Sequence, residues 1–503
     1  MGIESIIHFI QDDAILLMLL TPLLAGIFCA WIGTRREMGA ISVTGSMITL
    51  LFGLLLVDKV LANGSASALN NFLYADGLSA YLVLIISVIG LLANIYSVSY
   101  IHEEYAQGTI DAGRLRLYHF LLNLFLFTML SAVVANNLGV LWVMVEGTTL
   151  ASAFLVGLYD REESVEAAWK YLILGSVGIT FALFGTILVY FSAQSAFQNG
   201  AGSLNWTDLS NPAIAHLLDP SILKLAFIFL LVGYGTKAGL APMHTWLPDA
   251  HSHAPTPISA LLSGVLINAA MYGILRYHHL LLASPVTAGF SANLLLIFGL
   301  LSIGIATPFI LVQKDYKRLF AYSSIKHMGL IAVGIGLGTP LSQFGSLLHV
   351  LNHALSKALA FMGAGNILLK YHTREIFRVV GAAKIMPFAA IFFFLGTLAI
   401  SGVPPFGTFL SEFLILAAGF SAGRYWISGF VLLFLAIAFA GFIIHASRMV
   451  FGSAPEGVVP EEAPAMRLWP MALLVFLVLL LGLYIPNPLH TLLQQAIAAV
   501  NVP

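Results

Sequence analysis

The sequence predicts an all-α integral membrane protein of about fourteen transmembrane helices, and three observations carry that prediction. Of 503 residues, 59 % are apolar and only 9 % are charged, against about 25 % charged in an ordinary soluble domain. A water-soluble chain would need a more charged exterior to cover that much apolar surface. Apolar runs of about 17 residues or more recur along the whole chain. They are continuous, not alternating, which favours helices over a transmembrane β-barrel. Finally, the basic residues cluster in every second loop.

The runs lie near residues 14–33, 40–57, 79–101, 117–135, 138–158, 169–193, 221–243, 256–280, 289–312, 319–338, 342–369, 385–420, 426–447 and 468–486. Fifteen lysines and arginines, from Arg35 to Arg467, fall in the odd-numbered loops or at adjoining span ends, while Lys59, Arg276 and Arg424 make three in the even-numbered ones. The positive-inside rule then makes the odd loops cytoplasmic and places both termini on the outer, periplasmic side of a cell (inner) membrane. The first ten residues carry no Lys or Arg and no small-residue cleavage site, so a signal peptide is not expected.

Composition excludes several functions. A net charge of −1 gives no electrostatic case for nucleic acid. Cys29 is the only cysteine, which rules out an internal disulfide and a thiolate-held iron–sulfur cluster built from this chain alone. No flavin or nucleotide fingerprint appears either, so no catalytic redox centre, cofactor or metal is expected in this chain.

Four basic residues remain inside apolar stretches: Lys224, Lys237, Lys326 and Lys357. Among the acids, Glu146 and Glu412 sit deep in candidate spans. An ionisable group in hydrocarbon costs several kcal/mol unless paired or wet, so such residues face a bundle interior and mark ion paths. Snorkelling from a span end is the competing reading for Lys224 and Lys326.

Two spans are not simple rods. In the seventh, the stretch Gly235 to Asp249 places two prolines, Pro242 and Pro248, and two glycines around Lys237. If the path continues to about residue 250, Lys237 falls near its middle. The twelfth run would measure roughly 54 Å as one helix, well beyond the hydrocarbon thickness. It contains Ser401-Gly402-Val403-Pro404-Pro405-Phe406-Gly407, followed by Glu412. Proline inside a helix removes a hydrogen bond and collides with the preceding turn, so both segments should break. Two broken spans five apart, each with a buried charge, suggest two inverted five-helix repeats, spans 4–8 and 9–13. The segments would then be 1–116, a three-helix N-terminal part; 117–280 and 281–450, the repeats; and 451–503, helix fourteen and a tail.

In span eleven, His349, His353 and Lys357 follow at i, i+4 and i+8. Steps of four drift by about 40°, so all three share one face. Two histidines at that spacing suit zinc, but a lysine on the same stripe argues for a relay of titratable groups. Asp249, His251 and His253 also look metal-like; in a Pro-rich stretch without a fourth ligand they read as structural.

The stretch Lys237 to Pro257, with its Pro-x-His-x-Trp-Leu-Pro-Asp-Ala-His core, resembles the antiporter-like membrane subunits of respiratory complex I, membrane-bound (group 4) hydrogenases and cation/proton antiporter complexes. Further matches are Glu146, the Ser323-Ser324-Ile325-Lys326-His327-Met328-Gly329 run, the His349/His353/Lys357 stripe and Phe409-Leu410-Ser411-Glu412-Phe413. The likeness covers roughly residues 115–450. Within it, Trp142 to Tyr190 looks most like component F of hydrogenase-4-type complexes. The resemblance implies that Glu146 pairs with Lys237, that His244 belongs to the proton path, that His327, His349, His353 and Lys357 lie on a central axis, and that Glu412 is the exit-side residue. Asn268 stands four residues before Tyr272, where some relatives carry a lysine, which puts the link between the halves in doubt. The chain ends soon after span fourteen, so the long lateral helix of some relatives is not expected.

The implied function is proton translocation within a redox-driven membrane complex, hydrogenase-4/formate hydrogenlyase-like or complex I-like. Iron–sulfur clusters, Ni–Fe or flavin would sit in partner subunits. Partners would be further antiporter-like and small multi-span membrane subunits, a peripheral redox arm and lipids. A cation/proton (Na+/H+) antiporter subunit and an inorganic-carbon uptake subunit are the alternatives within the family. Outside it stand a stand-alone solute carrier, which should show a defined polar pocket, and a passive scaffold, which the cost of the buried charges disfavours.

Overall fold

The computed structural model describes residues 13–31, 34–194, 196–197, 202–454 and 457–501. The first ten residues, which carry the signal-peptide reading, and residues 32–33 of the first apolar run lie outside these. The helices are α1 (Ala14–Trp31), α2 (Arg35–Asn63), α3 (Gly77–Ala106), α4 (Ala112–Val134), α5 (Leu138–Val156), α6 (Glu162–Gln194) and α7a (Pro220–Ala238) with its continuation α7b (Trp246–His253). They continue with α8 (Thr256–Leu282), α9 (Pro285–Val312), α10 (Tyr316–Leu337), α11 (Pro340–Tyr371), α12a (Pro387–Ile400) and α12b (Gly407–Ser421). The last are α13 (Tyr425–Val450), α14 (Ala465–Leu483) and α15 (Asn487–Val500).

Among the described residues, twelve helices are long and apolar enough to cross a membrane: α1 to α6, α7a, α8 to α10, α13 and α14. The remaining two expected spans fall short for physical reasons. Helix α11 has 32 residues but carries a fully buried polar stripe that includes Ser346, His349, Asn352, His353, Ser356 and Lys357. The twelfth span is broken into helices of 14 and 15 residues.

Local sequence sets the helix starts. Asp76, Asp111, Asn137 and Asp315 accept hydrogen bonds from backbone N–H groups of the turns they precede. Asp219 does the same before Pro220, and Thr339 forms a reciprocal box with Ser342 before Pro340.

Helix α11 is the hub, packing against α3, α8, α10, α12a, α12b, α14 and α15. The apolar windows of α8 and α10 are buried on all sides. By contrast, α6 turns Ile173, Val177, Phe184 and Ile187 outward, and α13 turns out Leu432, Leu433 and Ile444. This is the pattern of a bundle whose rim meets lipid or other apolar surface.

The ends of the helices alternate between two faces as the loop count requires. Ion pairs on one face join the odd loops: Arg114–Asp160 at 2.6 Å, Arg318–Asp249 at 3.0 Å, Arg374–Asp315 at 3.7 Å and Lys370–Glu461 at 2.7 Å. On the other face Asn136 and Asn137 meet Thr207 and Asn205, and Gln343 meets Asn501.

Four features depart from the sequence reading. Arg276, counted with the loops, lies inside α8 and is buried, because Asp76 neutralises it at 2.6 Å. Glu104 is also buried, because α3 runs on to Ala106 and Tyr159 donates to its carboxylate at 2.6 Å. A short antiparallel hairpin, Ser65–Ala68 with Leu73–Asp76, interrupts the all-helical pattern after α2. Helix α15 follows the last span, where only a tail is expected, and seats itself beside α3 and α11.

Candidate functional site

Both predicted breaks are present. Helix α7a ends at Ala238, with Gly239 left-handed at φ 75°, and α7b begins at Trp246. Backbone groups freed at membrane depth need partners. The Thr236 carbonyl accepts from the Trp246 indole at 2.8 Å, and the Ala241 N–H donates to the Ser302 hydroxyl at 2.9 Å. At the second break, the Gly407 carbonyl accepts from the Asn352 amide at 2.7 Å, and the Ala399 carbonyl accepts from the Thr408 hydroxyl. Gly402, at φ 73°, leaves room for Glu412, because a Cβ there would collide with that carboxylate.

Lys237 sits in the last turn of α7a and is fully buried. Its ammonium donates to the Thr149 hydroxyl at 2.5 Å and to the Tyr171 hydroxyl at 3.2 Å, and lies 4.8 Å from the Tyr171 ring centre. Glu146, one turn before Thr149 on α5 and only part-buried, accepts from Thr149 at 3.0 Å and from Ser176 at 2.6 Å. The expected Glu146–Lys237 pair is therefore joined through one hydroxyl and not by direct contact. Spacing i, i+3 puts Glu146 and Thr149 on one face; the run Glu146-Gly-Thr-Thr held that signal.

The second cluster gathers His327, His349, Glu412 and Lys326. The Lys326 ammonium lies 3.3 Å from Glu412, so this lysine is buried and paired, and it does not snorkel. His327 and His349 share a hydrogen bond of 2.8 Å, and His349 meets the Ser411 hydroxyl at 2.8 Å. The His327 and His353 rings stand 5.2 Å apart. One helical turn on from His353, Lys357 donates to the Phe320 carbonyl at 2.6 Å and to the Ser323 hydroxyl.

Three predicted residues stay apart. Lys224 lies near the start of α7a with its ammonium 5.8 Å from the Phe290 ring, as a snorkelling lysine would. Asn268 is buried, its amide tied to the Gly264 carbonyl at 2.7 Å. That carbonyl belongs to a π-helical turn, Leu262–Leu266, which the sequence reading did not anticipate. His244 is buried in the first break, and its Nδ1 has no partner among the described residues.

Among the described residues, His327, His349 and Glu412 offer three ligand atoms within 4.8 Å of one another, a spacing open to a metal ion. The Lys326 ammonium beside the carboxylate opposes a cation there. The arrangement suits proton exchange between hydrogen-bonded titratable groups.

Two family models match the chain. Residues 135–439 match the NADH:quinone oxidoreductase/Mrp antiporter transmembrane family, and residues 65–108 match the N-terminus of chain 5 of NADH-ubiquinone oxidoreductase (complex I). The hydrogenase-4 component F homolog of Methylacidiphilum infernorum is 38 % identical, over 93 % of this chain and 96 % of its own. NADH-quinone oxidoreductase subunit M of Escherichia coli is 30 % identical over 85 % of this chain and 81 % of its own. Among solved structures, the archaeal membrane-bound sulfane sulfur reductase aligns with a TM-score of 0.84 at 25 % identity, covering 97 % of this chain and 98 % of that one. The Mrp complex from Dietzia shares the fold at a TM-score of 0.81, covering 98 % of this chain and 97 % of its own.

Proposed function

The chain belongs to the NADH:quinone oxidoreductase/Mrp antiporter transmembrane family, and from that premise we propose that it translocates protons within a redox-driven, multisubunit membrane complex of the hydrogenase-4 type. It is an antiporter-like, multi-pass membrane subunit, and its partners are other membrane subunits. The observation that carries the reading is the run of buried, mutually bonded titratable groups from Glu412 and Lys326 through His327 and His349, with His353 and Lys357 alongside. Groups so costly to bury persist where they move charge.

Glu146, Thr149 and Lys237 form the controllable end. Desolvation favours a neutral amine and an adjacent carboxylate favours the ammonium. Two charges 4 Å apart at an effective dielectric of 20 interact by about 4 kcal/mol, about a thousandfold in that equilibrium. Neutralising Glu146, or drawing it away, therefore switches Lys237 between holding and passing a proton. Glu146 is part-buried at the rim between α5 and α6, where a neighbouring subunit can act on it.

In this reading residues 117–280 and 281–450 are the inverted repeats, flanked by 1–116 and 451–503. Span five answers to span ten and span seven to span twelve, so Glu146 with Lys237 corresponds to Lys326 with Glu412, the charges exchanged. The odd-loop face is cytoplasmic, the membrane is the cell (inner) membrane, and both termini lie outside. Iron–sulfur, Ni–Fe or flavin centres belong to partner subunits, including a peripheral redox arm.

The test is the complex reconstituted in vesicles, with proton uptake followed while turnover is driven. Lys237→Met keeps the apolar stem and removes the proton site, and it should assemble yet lose pumping. Wild-type pumping in an assembled Lys237→Met complex would overturn the reading.

A further inference from the structure

We propose that a polar cavity on the odd-loop face is a proton-uptake mouth that feeds the α11 stripe through His251. The inference rests on the proton-translocating reading above.

The cavity has a volume of about 630 Å³ and its wall includes Glu104, Tyr159, His253, Lys317 and Arg374. A space this large and this polar holds water. Two of its wall residues, Glu104 and Lys317, are buried charged groups. One Glu104 oxygen accepts from Tyr159 at 2.6 Å, and the other has no partner among the described residues. The Lys317 ammonium donates to the Ala254 carbonyl at 2.6 Å, three residues beyond His251.

His251 lies directly behind this wall. It is fully buried on α7b, and neither ring nitrogen makes a hydrogen bond of good geometry among the described residues, although the Ser259 backbone lies near the ring. A histidine kept for structure is tied down, as His278 is to the Ser291 hydroxyl and His279 to the Val500 carbonyl. Leaving both nitrogens free in the interior is costly. A proton carrier needs that state, with one nitrogen ready to accept and the other ready to donate.

The position of His251 fits the role. Its ring stacks on Phe361 at 5.4 Å, and Phe361 is one turn along α11 from Lys357. His251 sits next to Ser252 and His253, which line the cavity, while its ring reaches α11 through Phe361, so it links the cavity wall to the helix that carries the stripe. Beyond Lys357 comes His353, whose ring nitrogens are likewise unpartnered, and then the His327–His349 hydrogen bond. In the transfer step a hydronium in the cavity gives its proton to one nitrogen of His251, forming a new N–H bond. The N–H bond on the other nitrogen breaks, and that proton converts the neutral amine of Lys357 to an ammonium. Rotation or tautomer exchange of the imidazole resets it.

The experiment uses the whole complex in vesicles, with wild type, Lys237→Met, His251→Ala and His251→Gln compared for proton uptake during driven turnover. Co-purification of the partner subunits reports assembly. The expected result is at least a tenfold loss of uptake in both His251 variants, with imidazole in the medium restoring part of it in His251→Ala alone. Gln fills the site and keeps hydrogen bonding but cannot carry a proton, so wild-type uptake in an assembled His251→Gln complex overturns the proposal. A loss in His251→Ala that imidazole leaves untouched does the same. If Lys237→Met also pumps normally, the broader proton-translocating reading fails; if Lys237→Met is inactive while His251→Gln pumps, only the uptake route fails.

Discussion

Lys326 and Glu412 form a buried ion pair at 3.3 Å, bridging α10 and the second half of the broken twelfth span. His327 stands 3.8 Å from the same carboxylate oxygen. The pair thus anchors the histidine chain at a charged terminus, next to a helix break whose glycine clears space for the carboxylate.

Glu412→Gln should abolish pumping and destabilise the protein, because Lys326 is left buried without its counter-charge. Breaking a buried pair from one side costs about 3–5 kcal/mol when the remaining charge persists. The double variant Lys326→Met with Glu412→Gln should regain most of that stability and none of the pumping. Thermal unfolding of the detergent-solubilised complex, beside vesicle uptake, checks both. A double variant that pumps would remove this terminus from the path.

Asp76 and Arg276 form a second buried pair with a different purpose. Two guanidinium nitrogens reach the carboxylate at 2.6 and 2.8 Å, one of them also reaches the Ser79 hydroxyl at 2.9 Å, and Trp206 and Tyr272 lie over the guanidinium. None of the proton-path residues touches it, so its role is to lock α3 to α8. Burial alone would raise the Asp76 pKa, but the Arg276 charge and hydrogen bonds hold it below the usual carboxylate range. A depressed folded-state pKa contributes stability that is present above the unfolded value, near 3.9, and is lost as pH falls through the folded one. Asp76→Asn should therefore lower the melting temperature at neutral pH, by a cost of about 3–5 kcal/mol, and flatten the acid limb below about pH 4. An unchanged acid limb would show that another group sets it.

Much of this was legible in the sequence for physical reasons. Clustered prolines and glycines mark helix breaks, so Gly239, Pro242, Gly402, Pro404 and Pro405 locate both interruptions in the sequence itself. The stripe at i, i+4 and i+8 on α11 followed from helical geometry alone. What was not legible depended on neighbours distant in sequence. Nothing around Arg276 announces that Asp76, 200 positions earlier, will neutralise it. Likewise helical spacing puts Thr149 on the Glu146 face of α5, but its bond to Lys237 exists only once another helix brings that lysine to it. His251 read as structural because its chain neighbours suggested a broken metal motif, and only the fold shows that its nitrogens lack well-formed hydrogen bonds and that its ring stacks on Phe361 of α11.

Topology gives a third prediction. The fifteen basic residues of the odd loops, against Lys59 and Arg424 in the even ones once Arg276 is seen to be buried, predict that the segment between α11 and α12a faces the cytoplasm. A cysteine introduced at Glu375, which is exposed, should resist a membrane-impermeant thiol reagent in intact cells and react in inverted vesicles. The native Cys29 is buried and should stay silent in both. Labelling of the new cysteine in intact cells would reverse the orientation.

The last prediction concerns the single hydroxyl between Glu146 and Lys237. Thr149 receives the ammonium's hydrogen bond and donates its own proton toward the carboxylate, so it transmits the state of one to the other. Thr149→Val keeps the volume and the β-branch but removes both bonds. Lys237 then keeps only the Tyr171 hydroxyl, and Glu146 keeps only Ser176. Each lost bond to a charged group is worth about 1.5–3 kcal/mol, equivalent to about ten- to a hundredfold in a transfer rate if the bond is made in the transition state. Uptake in Thr149→Val vesicles should fall by that factor, while Thr149→Ser, which restores a hydroxyl at the same Cβ, should stay within about threefold of wild type on the same scale. The Val–Ser contrast isolates the hydroxyl from packing, because Ser disturbs the volume more than Val does. Equal uptake in the two variants would show that Glu146 influences Lys237 through space and that the threonine only fills it.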